Sequence, residues 1–218
     1  MNKIKAVLFD MDGVIFDTER AYLDTWIRVF DKYGYEMKRE IYISVMGTGR
    51  KNVKNTFLNT FGEDLPIENM YKEKDEMLAE IIDAGKVPIK SGAVEILSYL
   101  KENGYKIALA TSARRVRCEK QVKMAGLDKF FDAIVCGDDI TNGKPDPEIF
   151  LKAAQKLGIP AEECIVVEDS PAGIQAAFDA HMYGIHVEDL KEADDTIKKH
   201  CFKNYKNLSQ IQEYIETL

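Results

Sequence analysis

Residues 7–19 read VLFDMDGVIFDTE: a short apolar run, then Asp10 and Asp12 two positions apart, then Gly13. The apolar run has the length of a buried strand and is too short to cross a membrane. Because side chains alternate along a strand, both carboxylates start on one side of the chain where it leaves the sheet. Two carboxylates held this close repel each other unless a cation lies between them or one keeps its proton. The stretch therefore predicts a reactive strand end.

Short apolar runs recur later in the chain and alternate with helical patterns. The apolar runs lie at 106–111, 133–136, 164–168 and 182–187, and amphipathic helical patterns lie near 92–102, 115–125, 147–157 and 171–180. Strands that alternate with helices predict right-handed β–α–β units and a parallel sheet, which residues 5–10 would join. The predicted fold class is therefore α/β, a Rossmann-like parallel sheet with helices on both faces.

Residues 18–86 contain no strand-like run, and their patterns are helical. Apolar residues at helical spacing from Tyr22 to Tyr33 predict a first helix that Gly34 ends, and further helices are predicted over 50–61 and 67–83. We therefore predict two domains. Residues 1–15 and 88–218 form an α/β catalytic core, and residues 16–87 form an inserted all-helical cap.

Composition and charge narrow the classes of partner. The chain has 218 residues, 45% of them hydrophobic and 31% charged, a net charge of −7 and a pI near 5.2. None of its basic runs is longer than the pair Arg114-Arg115, so we expect no nucleic-acid partner, because binding to phosphate backbones needs a basic face. We expect a small-molecule partner, no membrane partner and a monomer.

The four cysteines do not form a metal or disulfide pattern. Cys118, Cys136, Cys164 and Cys201 lie far apart with no C-x-x-C pair, and the chain has three histidines. This spacing argues against a zinc site and predicts reduced, mostly buried thiols. The apolar run after the charged N-terminus is too short for a signal peptide, so the expected location is the cytoplasm.

Ligands of parallel sheets bind beyond the carboxyl ends of the strands, so the residues at those positions are the candidates for chemistry. They are Asp10 and Asp12 after the first strand, Thr111 and Ser112 after the second, Lys144 in the loop after the third, and Glu168 and Asp169 at the fourth. An acidic pair, a hydroxyl, a lysine and a second acidic pair therefore converge on one edge.

This set of side chains suits phosphoryl transfer. A carboxylate such as Asp10 can attack phosphorus and form an aspartyl-phosphate. Mg²⁺ prefers oxygen ligands, which Asp10, Asp169 and Glu168 supply. Thr111, the Ser112 amide and Lys144 can stabilise the transferred phosphoryl group, with Ala113 completing that loop. Asp12 is positioned to protonate the leaving alcohol and to deprotonate the attacking water.

These residues, in this order, resemble the haloacid dehalogenase-like superfamily over essentially the whole chain. The matching motifs are DMDG at 10–13, TS at 111–112, GKP at 143–145 and ED at 168–169. The longer strings FDMDGVIFDTE at 9–19, GKPDPEIF at 143–150 and VEDSPAG at 167–173 are similar to the β-phosphoglucomutase/phosphatase branch, whose helical cap follows the first strand. The resemblance implies Mg²⁺ ligation by Asp10, the Asp12 main-chain carbonyl, Glu168 and Asp169.

The resemblance also marks substrate-binding candidates in the cap. Arg50 follows the Gly47-Thr48-Gly49 loop where relatives carry an arginine for the substrate phosphate. Lys74 interrupts an apolar helical stripe, so its ammonium either reaches the solvent along the surface or points into the cleft. Arg114 and Arg115 are either contacts for a second charge on the substrate or surface cations at a helix start.

The motifs favour one reaction and leave two alternatives. Asp12 argues against dehalogenases and phosphonate hydrolases of this fold, which lack it. The mutase of the branch carries a histidine where this chain has Tyr22, so a Mg²⁺-dependent phosphosugar phosphatase is favoured and a β-phosphoglucomutase-type mutase is the alternative. An alternative of another class is a signalling domain that keeps a phosphorylated aspartate, although the cap and Asp12 are not expected in one.

Overall fold

The computed structural model describes residues 3–45, 50–190 and 193–218, and for residues 50–52 it describes the backbone alone. Within these ranges the chain forms two compact units, one comprising the residues up to Asp17 together with Pro88–Leu218, and the other comprising Thr18–Val87. None of the helices in the described ranges is long and apolar enough to span a bilayer.

The first unit is built on a parallel sheet. Its strands are β1 (Ala6–Phe9), β2 (Lys106–Ala110), β3 (Ala133–Val135), β4 (Cys164–Glu168), β5 (Tyr183–Val187) and β6 (Lys203–Tyr205). They run in the order β3-β2-β1-β4-β5-β6, and every neighbouring pair is parallel. The predicted α/β fold class is therefore confirmed.

The register brings three strand ends side by side. Phe9 of β1 pairs with Leu109 of β2 on one side and with Val167 of β4 on the other. The strand order reverses at β1, which is the switch point where ligands of such sheets bind. Consequently Asp10 follows β1 between the ends of β2 and β4.

Helices cover both faces of the sheet and bury its core. They are α5 (Ala93–Glu102), α6 (Arg115–Met124), α7 (Glu148–Leu157), α8 (Pro171–Asp179), α9 (Asp195–His200) and α10 (Leu208–Ile215). Ala6 and Leu8 of β1 pack with α7 and α8 in one fully buried cluster. The alternate residues Val7 and Phe9 are equally buried on the opposite face, since successive side chains of a strand point to opposite sides.

The second unit is all-helical, with α1 (Thr18–Lys32), α2 (Arg39–Val45), α3 (Arg50–Phe61) and α4 (Ile67–Asp83). Its core is a group of edge-to-face aromatic rings. Trp26 and Phe30 of α1 each lie 5.2 Å from the ring of Phe57, which is fully buried, and Trp26 lies 5.0 Å from Tyr71. Such pairs stabilise a core beyond the area that they bury.

The predicted boundary between residues 15 and 16 lies two residues before the division that the structure shows. Phe16 forms a bridge with Ile89, and the Asp17 amide donates to the Pro88 carbonyl at 2.9 Å. These backbone contacts tie the outgoing and returning chain segments together inside the first unit, so the cap begins at Thr18.

Candidate active site

Lys144 connects the ends of three neighbouring strands. Its Nζ donates hydrogen bonds to Asp10 Oδ1, to Glu168 Oε1 at 2.8 Å and to the Ala110 carbonyl at 3.2 Å. The lysine side chain is 7% exposed, and its ammonium lies 4.9 Å from the centre of the Phe150 ring. The sequence-predicted lysine is therefore brought against both the first aspartate and the second acidic pair.

Three carboxylates form a compact oxygen-donor group. Each of Asp10, Glu168 and Asp169 offers an oxygen, and these three atoms lie within 4.8 Å of one another. Asp10 and Glu168 are buried, and Asp169 is half-buried. The Asp10 amide donates to the Val167 carbonyl at 3.0 Å, which fixes the backbone of the aspartate to the end of β4.

Two glycines lie so close to the carboxylates of Asp169 and Glu168 that a side chain at either position would overlap them. A Cβ atom on Gly13, whose φ is +81°, would lie 2.1 Å from Oδ2 of Asp169. A Cβ atom on Gly173 would lie 1.8 Å from Oε1 of Glu168. The glycine that closes the DMDG motif is therefore required for its backbone conformation and for its close approach to Asp169.

Burial and crowding perturb the charges of this group. Burial raises the pKa of Asp10 to about 7, and the nearby Glu168 and Asp12 act in the same direction against the attraction of Lys144. Burial alone would raise the pKa of Glu168, but the charge of Lys144 and hydrogen bonds from Lys144 and Ser170 hold that pKa below its usual value. Burial disfavours the charged form of Lys144 and by itself would lower its pKa. The charges of Asp10 and Glu168 and their hydrogen bonds to the ammonium outweigh burial, so the pKa of Lys144 is raised.

Thr111 is buried at the end of β2 with its hydroxyl oriented by the backbone. The Ala113 amide donates to Oγ1 of Thr111 at 3.1 Å, and the Thr111 amide donates to the Val135 carbonyl at 3.0 Å. The hydroxyl oxygen therefore accepts from its own loop, which leaves its hydrogen to donate to a ligand. Ala113 of the same loop, a substrate-binding candidate, donates this hydrogen bond to Thr111, and its contact with substrate stays a prediction.

Arg117 is a residue of the site that the sequence did not indicate. Its guanidinium forms an ion pair with Oδ1 of Asp12, and both side chains are about a quarter exposed. The arginines that the sequence analysis names as candidates are Arg114 and Arg115, at the start of the same helix. Arg115 instead pairs with Glu119 at 2.7 Å and with Asp139, which gives it a structural role. Arg117 lies one helical turn past Arg114, and that spacing was the available signal.

The cap candidates have different outcomes. The Gly47-Thr48-Gly49 loop and the Arg50 side chain lie outside the described residues. Lys74 is 7% exposed within the cap, and its ammonium lies 5.2–5.8 Å from the ring centres of Tyr22, Trp26 and Tyr71 while pairing with Asp75. The ammonium of Lys74 therefore lies among aromatic rings and beside the carboxylate of Asp75, and its contact with substrate stays a prediction.

The sequence pattern of the haloacid dehalogenase-like hydrolases matches residues 7–187, a stretch that includes every strand end described above except that of β6. The chain belongs to this family. The resemblance inferred from the four motifs is thereby confirmed, and so is the prediction of a hydrolase.

Two phosphatases among the relatives match over most of their own length. A phosphorylated carbohydrates phosphatase of Thermotoga maritima is 32% identical over 189 residues, covering 84% of this chain and 85% of the relative. The fructose-1-phosphate phosphatase YqaB of Escherichia coli is 29% identical over 183 residues, covering 83% and 95%. The crystal structure of a β-phosphoglucomutase from Clostridium difficile superposes with a TM-score of 0.71 at 28% identity, covering 98% of this chain and 96% of the other.

Proposed function

We propose that the protein is a Mg²⁺-dependent phosphomonoester hydrolase that acts on a small phosphorylated metabolite, a phosphosugar in class, through an aspartyl-phosphate on Asp10. The observation that carries the proposal is the contact of buried Lys144 with both Asp10 and Glu168, beside a third carboxylate. Phosphatases of phosphorylated sugars among the relatives supply the substrate class.

The donor set fits a divalent cation. Three carboxylates offer oxygens within 4.8 Å of one another, and Lys144 pairs with two of them, so the carboxylates outnumber the cation of the cluster. All of its donors are oxygens, the ligand type that Mg²⁺ prefers. Asp10, Glu168, Asp169 and the main-chain carbonyl of Asp12 would hold the ion. When bound, Mg²⁺ would supply positive charge to the nucleophile and to the phosphate oxygens.

In the proposed first step, a carboxylate oxygen of Asp10 attacks phosphorus and the alcohol leaves. Lys144 holds the Asp10 carboxylate in place and contributes positive charge beside the transferred group. The Thr111 hydroxyl and the Ser112 amide would donate hydrogen bonds to the phosphoryl oxygens. Water then attacks the same phosphorus, which releases phosphate and restores the carboxylate.

Asp12 is the proposed proton carrier. It would give a proton to the departing alcohol oxygen and take one from the attacking water in the second step. Arg117 binds one oxygen of the Asp12 carboxylate, so the side chain is held in one orientation from the α6 side. The two aspartates of the motif thus have separate roles, with Asp10 binding phosphorus and Asp12 moving the proton.

A screen for phosphate release from phosphosugars, with Mg²⁺ and with chelator, tests the proposal. We expect release from at least one member that depends on Mg²⁺ and is lost in Asp10→Asn, because the amide is a poor nucleophile. Asp179→Asn, a matched change at an exposed aspartate of α8, should keep full activity. No Mg²⁺-dependent release across the panel, or release that survives in Asp10→Asn, would refute the proposal.

The similarity to β-phosphoglucomutase favours a second candidate, transfer of the phosphoryl group back to the sugar. The two reactions share the aspartyl-phosphate and differ in whether water or a second hydroxyl attacks it. Incubation with β-glucose 1-phosphate separates them: a hydrolase yields inorganic phosphate, and a mutase yields glucose 6-phosphate. Conversion to glucose 6-phosphate faster than phosphate release would replace the proposed hydrolase by the mutase.

A further inference from the structure

His186 is a buried polar residue that the proposed chemistry does not use. It lies on β5, pairs in register with Glu168 of β4, and has no exposed surface. A buried imidazole has to satisfy its two nitrogens within the protein, because a buried polar group without a partner is costly. The partners of His186 therefore indicate what the residue does.

Both ring nitrogens of His186 have partners, and one of them belongs to the acidic group. Nε2 lies 3.1 Å from the backbone carbonyl oxygen of Asp169. A carbonyl oxygen can only accept, so Nε2 carries a hydrogen and donates it. Nδ1 lies 2.6 Å from the side-chain oxygen Oδ1 of Asn204 on the edge strand β6, and Nδ2 of the same side chain donates to Oε1 of Glu188 at 3.2 Å. The ring is thus held on both sides.

The contact fixes the peptide group that carries Asp169. On the preceding side, Oε2 of Glu168 accepts from the Ser170 amide at 2.7 Å, which closes the turn around Asp169. On the far side, Gly13 approaches the Asp169 carboxylate. The His186 hydrogen bond adds a contact to the backbone carbonyl of Asp169 in the same turn. The direction of the Asp169 side chain then follows from its backbone.

We propose that His186 is a positioning residue for the divalent cation, an inference that rests on the proposed metal-dependent function. It holds the Asp169 backbone so that its carboxylate faces Asp10 and Glu168, and Asn204 holds the ring. Residues that orient metal ligands typically change metal affinity by about 10–100-fold when they are replaced. The metal affinity of this site is therefore set partly from β5 and β6.

A role limited to packing makes a different prediction from a positioning role. In His186→Gln the side-chain amide nitrogen lies about as far from the backbone as Nε2 of histidine, so it can still donate to the Asp169 carbonyl. In His186→Asn the amide nitrogen extends only as far as Nδ1 and cannot reach that carbonyl. Both substitutions place a smaller polar group in the same buried space, so a packing role predicts similar losses. A positioning role predicts that Gln preserves metal binding and that Asn does not.

The test is Mg²⁺ binding to the whole protein by calorimetry, without substrate. We expect His186→Asn to weaken Mg²⁺ binding by about 10–100-fold and His186→Gln by less than about threefold. Ile185→Ala, at a fully buried neighbour whose side chain faces the other side of the sheet, should lower the melting temperature and leave Mg²⁺ affinity unchanged. Equal affinities in wild type and His186→Asn, or equal losses in Asn and Gln, would overturn the inference.

A second variant keeps the test decisive if His186→Asn does not fold. Asn204 is exposed on the edge strand, so Asn204→Ala should fold, and it removes the group that holds Nδ1. We expect Mg²⁺ binding weakened by about threefold to tenfold in this variant, and unchanged affinity there would overturn the inference. If the wild-type protein binds no Mg²⁺, both the proposed function and the role of His186 are refuted. If the wild-type protein binds Mg²⁺ and hydrolyses phosphosugars but the variants bind Mg²⁺ equally well, only the role of His186 is refuted.

Discussion

Lowering the pH from 8 to 6 should weaken Mg²⁺ binding about tenfold, through Asp10. Burial, with the charges of Glu168 and Asp12, raises the pKa of Asp10 to about 7 against the attraction of Lys144. A cation binds the ionised carboxylate, so protonation competes with it. With a pKa of 7, Asp10 is about nine-tenths ionised at pH 8 and about one-tenth ionised at pH 6, a ratio of about ten in apparent affinity.

The sign of the effect on stability follows from the same shift. The pKa of Asp10 in the folded protein lies above its usual value of 3.8, so the stability that its proton contributes is present at low pH and is lost as the pH rises through about 7. Mg²⁺ binds the form that prevails above pH 7. The increase in melting temperature that a fixed Mg²⁺ concentration produces should therefore be larger at pH 8 than at pH 6.

Calorimetric titrations of Mg²⁺ at several pH values measure this effect directly. Asp10→Asn is the control, because it removes the titrating carboxylate while keeping the size of the side chain, and its remaining affinity should vary much less between pH 6 and 8. A wild-type affinity that stays constant over this interval would refute the reasoning, and so would an equal decrease in Asp10→Asn.

Three further substitutions test separate parts of the account. Gly13→Ala should abolish measurable Mg²⁺ binding, because the added Cβ would overlap Asp169. The control is Gly34→Ala, at a glycine with the same φ near +80° but with nothing within 4 Å of the added Cβ. It should lower the free energy of unfolding by only about 1–2 kcal/mol and leave Mg²⁺ binding unchanged. Lys144→Met should lower kcat by at least about 100-fold, and equal kcat in this variant and in exposed Lys123→Met would contradict its role. Phe57→Ala should destabilise the cap by about 3–5 kcal/mol in denaturant unfolding, against less than about 0.5 kcal/mol for the half-exposed Phe178→Ala.

The sequence predicted those parts of the fold in which the pattern of burial is strong. The central strands β1 and β4 are buried along their whole length, so β1 is apolar throughout and β4 is apolar up to Glu168 at its end. By contrast, β6 has the sequence KNY and is partly exposed at the sheet edge, and α2 is seven residues long. Such short or polar elements depend on tertiary contacts for their structure, and their sequences have no periodicity from which they could be predicted.

The candidate site shows the same division. Asp10, Thr111 and Glu168 follow from their places at strand ends, since the sheet itself brings those ends together, and Lys144 follows from the motif in the loop after β3. Arg117 and His186 could not be predicted in this way. Arg117 reaches Asp12 from the first turn of α6, and His186 contacts the backbone of Asp169 rather than a motif side chain. Contacts of this kind depend on rotamers and on the distance between neighbouring elements.

The central claim is that phosphorus becomes bound to Asp10 during turnover. The most direct measurement is reduction with borohydride during steady-state turnover of an active phosphosugar, followed by peptide mass spectrometry, because an acyl phosphate is reduced to an alcohol and a free carboxylate is not. We expect homoserine at position 10, dependent on substrate and Mg²⁺, and no reduction at Asp12. Reduction at another carboxylate, or an unmodified Asp10 while turnover proceeds, would contradict it.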